Sequence, residues 1–139
     1  MSADFLDTNV FVYTFDSLDL AKRATARRLV AEAIEQRTGI ISSQVVQETL
    51  NVLTGKARIR LPAQEASRFL REMLLPLWRG SPTPALYEHA LSLRDRYGYS
   101  FYDSLIVAAA LEAGCARLLS EDLQHGQRIE GLTIENPFR

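Results

Sequence analysis

The sequence predicts an α/β fold built on a mainly parallel sheet. Two observations carry this. Short apolar runs of strand character, at residues 3–6, 40–41, 117–120 and 132–134, are separated by long helical segments. Strands joined through helices pair in parallel, because such a connection has to cross over the sheet. The chain also has the size and composition of one domain with a substantial core: 139 residues, 47% hydrophobic and 24% charged. Residues 1–139 are read as a single domain, with no internal repeat, low-complexity segment or linker.

Residues 3–6 (ADFL) form the first strand, and Asp7, Thr8 and Asn9 turn it into a helix, since all three types satisfy free helix N–H groups. Residues 19–37 make an amphipathic helix that offers Ala21, Ala24, Leu29, Ala33 and Ile34 to one side, with Gly39 suited to its stop. Ile40 and Ile41 are the second strand. Ser42 or Ser43 then caps a helix that runs through Val45, Val46, Leu50 and Leu53 to Gly55. Pro62 fits the first position of a helix, PAQEASRFLREMLL, closed by Pro76. GSPTP is the clearest break, and Pro84 opens the next helix behind Thr83, which runs to Gly98. Residues 100–113 are apolar nearly all round, which predicts a central helix. Residues 117–120 and 132–134 supply the third and fourth strands.

Bulk properties narrow the function classes. The longest apolar stretch, residues 105–111, is too short to span a membrane. The start MSADFLDTN lacks a basic region followed by a long apolar one, so no secretory signal is expected and the cytoplasm is the default location. The single cysteine, Cys115, rules out an intramolecular disulfide and a cysteine metal cluster, and reads as a buried thiol. A net charge of −1 and a pI near 6.1 do not advertise a nucleic-acid binder. Lys22 and Lys56 are the only lysines among 16 basic residues, however, and the arginines that make up the rest favour bidentate phosphate contacts. Lys22, Arg23, Arg27 and Arg28 cluster at one helix end, and Lys56, Arg58 and Arg60 mark a loop.

Four carboxylates stand out by position. Asp7, Glu48 and Asp122 each lie just beyond an apolar run that reads as a strand, and Asp103 opens the apolar helix. Each has a structural account: Asp7 as a helix cap, Asp103 in a Ser-x-x-Asp capping box, Glu48 as an exposed helical residue, Asp122 as a turn residue. Together they point further. If the strands are parallel neighbours, their carboxyl ends share one sheet edge, where open α/β sheets bind ligands. Four acids gathered there repel one another unless a cation neutralises them. Helix starts at the same edge favour carboxylate or phosphate. Oxygen ligands with no histidine in these segments suit Mg²⁺ or Mn²⁺ rather than zinc or copper. Thr8, Asn9 and Ser120 sit beside the acids, placed to orient carboxylates or bound waters.

The FLDTNV start, Glu48 after a small-polar strand end, the YDSLIVAAA helix, the LLSEDL strand end and the ENPF ending resemble the PIN-domain ribonucleases, in particular the VapC-type toxins of toxin–antitoxin pairs. The similarity runs along essentially the whole chain. It implies a three-layer α/β/α sandwich around a parallel sheet. It also implies that Asp7, Glu48, Asp103 and Asp122 are the acidic metal-binding and catalytic set, that Thr8 and Asn9 match the polar positions after the first acid, and that Ser120 matches the Thr/Ser position two before the last. The implied chemistry is Mg²⁺-dependent hydrolysis of RNA, leaving 5′-phosphate and 3′-hydroxyl ends. Asp7 and Asp103 are the leading direct ligands, while Glu48 and Asp122 bind the same ion, complete a second site or act through water. The resemblance further implies a homodimer, with a face around residues 50–75, and a cognate antitoxin whose segment lies in the active-site groove. Glu121 is assigned no role.

Rival readings fit less well. A haloacid-dehalogenase-type phosphatase needs an acid where Asn9 stands, and a receiver domain needs a lysine at a later strand end. A silent PIN-like module that binds RNA or protein without cutting is the stronger rival, and the complete acid set argues against it. His89 and His125 have no ligand-spacing partners and read as structural. Trp78, Phe101 and Tyr102 read as core or interface rather than as stacking platforms.

Overall fold

The computed structural model describes residues 2–55 and 59–139, so Lys56 and Arg58 of the basic loop lie outside the described residues. Five strands form one sheet in the order β2-β1-β3-β5-β4. They are β1 (Asp4–Leu6), β2 (Gly39–Ile40), β3 (Arg117–Leu119), β4 (Arg128–Ile129) and β5 (Leu132–Glu135). All neighbours pair in parallel except β4 and β5. Consecutive residues in the two central strands, Phe5 with Leu6 and Leu118 with Leu119, are all buried. Successive strand side chains point to opposite faces, so both faces of the sheet are covered, as a three-layer α/β/α sandwich requires.

The helices are α1 (Thr8–Val12), α2 (Leu20–Gln36), α3 (Ser43–Leu53), α4 (Ala63–Phe69), α5 (Pro84–Tyr97) and α6 (Phe101–Glu112). Several ends follow the expected chemistry. Thr83 caps α5 with Pro84 in its first turn, Gly98 closes it at φ 75°, and Ser100 caps α6. The serine left open at the start of α3 is Ser42, whose side chain accepts from the Val45 N–H. Helix α6 buries residues on nearly every side and is the central helix the sequence predicts.

Four details differ. Helix α2 buries Ala26, Val30 and Ala33, whereas Ala21 and Ala24 face solvent. Alanines fit either side of a helix, and the bulkier Val30 decides which stripe meets the core. The same helix ends at Arg37 in the left-handed region, φ 57°, rather than through Gly39, which instead begins β2. The segment after Pro62 is not one α-helix: Pro62 is the cap of α4, and Leu70–Leu74 continue as a π turn before Pro76. Strand β4 was not anticipated, because two residues are too few for an alternating pattern to register.

At the amino end of the sheet, Arg117 donates to both carboxylate oxygens of Asp4, at 2.9 and 2.6 Å, and to Glu135. One guanidinium thus ties the amino ends of β1 and β3 to each other and to the last residue of β5, which supports the register that brings Leu6 opposite Leu119. No helix among the described residues is long and apolar enough to cross a membrane.

Candidate active site

The chain leaves β1 toward β2 on one side and returns to β3 on the other, so the carboxyl ends of β1 and β3 flank a crevice of the kind where open α/β sheets take ligands. Asp7 follows β1 there as the cap of α1 and is 6% exposed. Its Oδ1 accepts from the Thr8 N–H at 2.7 Å, and its Oδ2 accepts from the Ser120 hydroxyl at 2.7 Å. Ser120, fully buried just after β3, also accepts from the Asp122 N–H at 3.2 Å. One hydroxyl therefore couples the first acid to the loop that carries the last.

Glu48 and Asp103 reach the crevice from the early turns of helices, and Asp122 from the loop after β3. Glu48 lies just over one turn into α3, where the Thr8 hydroxyl donates to Oε1 at 2.9 Å and the Gln44 amide to Oε2 at 3.4 Å. Asp122 Oδ2 accepts from the Asn9 amide at 3.2 Å. Asp103 sits in the first turn of α6, its N–H donated to Ser100 Oγ at 3.1 Å as the capping-box spacing requires. Asp7, Glu48, Asp103 and Asp122 line a single open cleft of about 460 Å³ together with Thr8, Asn9, Tyr13 and Gln44. Thr8, Asn9 and Ser120 each serve a different acid, a division of labour that spacing alone does not reveal.

Burial pushes the Asp7 carboxyl up to about 6, against the opposing pull of its hydrogen bonds to Ser120 and Thr8, and the charges of Asp122 and Glu48 add to the rise. A carboxylate this costly to ionise marks a place where positive charge would be welcome. Among the described residues, no three His, Cys, Asp or Glu side chains stand close enough to close around one ion. Glu48 and Asp122 are instead engaged by Thr8 and Asn9. That geometry fits an ion that keeps much of its own water and takes one or two carboxylates directly, as Mg²⁺ does, and it does not fit the compact cage of structural zinc. Asn9 also keeps a buried Oδ1 without a partner, an acceptor suited to a coordinated water.

Glu121, beside Asp122, is spoken for. The Tyr13 hydroxyl donates to it, and Lys22 Nζ lies 2.8 Å from its carboxylate and 4.8 Å from the centre of the Tyr13 ring. Its charge is compensated at the rim and is not offered to the cleft. His125 Nδ1 accepts from the Asn136 N–H at 2.9 Å and so holds the ENPF ending in place. His89 lies 3.6 Å from Glu130, away from the acids. Gln44 and Tyr13 are cleft residues that sequence reasoning missed. The signal for Gln44 was its spacing of four from Glu48, which puts both on one helix face.

The chain belongs to the PIN domain family, whose profile matches residues 5–128. Solved structures share its fold. VapC20 of Mycobacterium tuberculosis, described as a Sarcin-Ricin loop cleaving toxin, is 24% identical with a TM-score of 0.63, over 84% of this chain and 87% of that one. A toxin–antitoxin complex from Klebsiella pneumoniae is 17% identical with a TM-score of 0.67, over 97% of this chain and 98% of that one. FitAcB from Neisseria gonorrhoeae is 19% identical with a TM-score of 0.60, again over 97% and 98%. At these identities the likeness is one of fold. No curated protein matches the sequence.

Proposed function

We propose that this protein is a Mg²⁺-dependent ribonuclease, with Mn²⁺ as a workable substitute, and that it acts in the cytoplasm as the toxin of a toxin–antitoxin pair. The observation that carries the reading is the convergence of four acids, distant in sequence, on one cleft whose deepest member, Asp7, is held near 6 by burial. Membership of the PIN family and the likeness in fold to toxins support it.

Asp7 and Asp103 would hold the ion, with Glu48 and Asp122 completing its surroundings directly, at a second site or through water. When bound, a divalent cation lowers the pKa of a coordinated water and offsets the charge of the phosphate under attack. The chain's own contribution is preparation. Ser120 and the Thr8 N–H keep the Asp7 carboxylate aimed and partly ionised despite its burial. Thr8 and Asn9 fix Glu48 and Asp122, so little reorganisation is needed when substrate arrives. A cognate antitoxin that fills the acidic cleft would silence the enzyme. Assembly as a homodimer would use the face around residues 50–75, where Val52 and Leu75 are exposed.

The test is incubation of total RNA with purified protein in Mg²⁺, in Mn²⁺ and in EDTA. Discrete fragments with 5′-phosphate ends, absent in EDTA, are expected. Fragments that persist in EDTA, or that end in 2′,3′-cyclic phosphate, would replace this mechanism with a metal-free one. A silent binding module would retain RNA without shortening it.

A further inference from the structure

We propose that a groove next to the acidic cleft binds one unpaired nucleobase of the RNA, with Tyr102 as its stacking platform and Gln44 as the acceptor that reads it. The inference rests on the ribonuclease reading above. The groove encloses about 290 Å³ between the start of α3 and the facing ends of α5 and α6, with Gln44, Tyr87, Phe101 and Tyr102 among its walls. That volume lies at the lower end of sites that hold small ligands, roughly 300 Å³ and above.

Gln44 joins the two cavities, lining both. Its Nε2 donates to Glu48 Oε2 at 3.4 Å and to the Tyr102 carbonyl at 3.1 Å. Both partners are acceptors, so the amide cannot be turned over without setting its oxygen against a carboxylate. Its Oε1 is thereby directed away from them. Although the residue is only 8% exposed, that oxygen has no donor. A buried acceptor left unmet is unfavourable and marks where a ligand donor belongs. Nucleobases supply such donors on their pairing edges once they are unstacked.

Tyr102 meets the other half of the requirement. The residue is 64% exposed, and its ring is braced by Phe101 edge-on at 5.6 Å, with Phe101 itself lying against Tyr87 at 6.5 Å. Because Gln44 lines both cavities, a base on this ring belongs to a nucleotide beside the phosphate in the acidic cleft. A second copy of the chain could also cover exposed aromatics, but apolar burial alone would leave the Gln44 oxygen unmet. A base satisfies both, with a shift of the Gln44 side chain opening its oxygen, which is shielded from solvent before the ligand arrives.

The test measures binding in EDTA, where no metal-dependent cleavage can intervene. A short, fluorescein-labelled single-stranded RNA of mixed sequence is titrated with wild type, Tyr102→Ser and Tyr102→Phe, and a 5-bromouridine version is photocrosslinked. Tyr102→Ser should weaken binding roughly 5- to 150-fold, the range for loss of one base–aromatic stack. Tyr102→Phe should stay within about twofold, since the ring is kept, and crosslinks should map to the peptide containing Tyr102. Equal binding by Tyr102→Ser, or crosslinks confined elsewhere, would overturn the subsite while leaving the ribonuclease reading intact. A wild-type dimer that Tyr102→Ser converts to a monomer without loss of RNA affinity would assign the groove to self-association. Absence of RNA binding by the wild type in EDTA would overturn the subsite, while the ribonuclease reading is decided separately by cleavage in Mg²⁺.

Discussion

Asp7→Asn should give a protein that no longer cuts RNA yet resists unfolding better than the wild type when metal is removed. Loss of cleavage should exceed about 100-fold, more than is lost when a group that merely supports a metal ligand is removed. The gain in stability follows from burial. The Asp7 carboxyl titrates at about 6 in the folded chain against an ordinary value of 3.8, so folding favours its neutral form. Below about pH 4 the group is neutral in both states and costs nothing. Between about pH 4 and 6 the unfolded chain ionises first and the folded state loses ground, and above about pH 6 the full penalty applies, at most about 3 kcal/mol. Asparagine avoids this cost and can keep the local bonds: its oxygen accepts from the Thr8 N–H while its amide donates to Ser120 Oγ. Urea unfolding in EDTA should show the variant ahead of wild type at about pH 7.5 and level with it at about pH 4. A variant that is less stable at both pH values would show that Asp7 is held there for structure rather than at structure's expense.

Gly39→Ala should produce the other large effect, this time on stability. A Cβ at Gly39 would lie 2.6 Å from the Cβ of Ala33 and 3.3 Å from side-chain atoms of Leu6 and Leu77. The closest atom, the Ala33 Cβ, cannot swing aside, so helix α2 must move off strand β2. Overpacking of this kind costs on the order of 1–3 kcal/mol, which for a chain of this size lowers Tm by roughly 3–10 °C. Because β2 leads through Ser42 into α3, the displacement also threatens the placement of Glu48. Pairing the substitution with Ala33→Gly should return part of the loss, even though glycine inside a helix costs about 1 kcal/mol on its own. Thermal unfolding of the two single variants and the double variant tests this. Simple additivity would contradict the close approach.

The sheet, its parallel pairing and the central helix were legible because they rest on strong signals: isolated apolar runs, helix caps at the expected spacing, and one helix with no polar side. Asp7 and Asp122 were legible for a related reason, since each closely follows a run that must be buried and a parallel strand delivers it to one edge, while Glu48 and Asp103 were read from helices that begin at that edge. What could not be read is what depends on register. That Ser120 reaches Asp7 requires Leu6 to sit opposite Leu119, and the Arg117 clamp that supports this register joins residues from both ends of the chain. The buried stripe of α2 was misread because alanine carries little information about facing. The role of Gly39 was misread because a close approach between helix and strand leaves no mark except the missing side chain. Gln44 gave no signal beyond its spacing from Glu48, because the Tyr102 carbonyl that its amide also reaches lies 58 residues away in sequence.

The most direct test of the central claim, that these acids hold a divalent ion, is Mn²⁺ binding followed by the electron paramagnetic resonance signal of the free ion. Wild type should remove Mn²⁺ from solution, Mg²⁺ should release it, and Asp7→Asn and Asp103→Asn should each abolish the effect. Equal Mn²⁺ uptake by wild type and both variants would place the ion elsewhere and contradict the account.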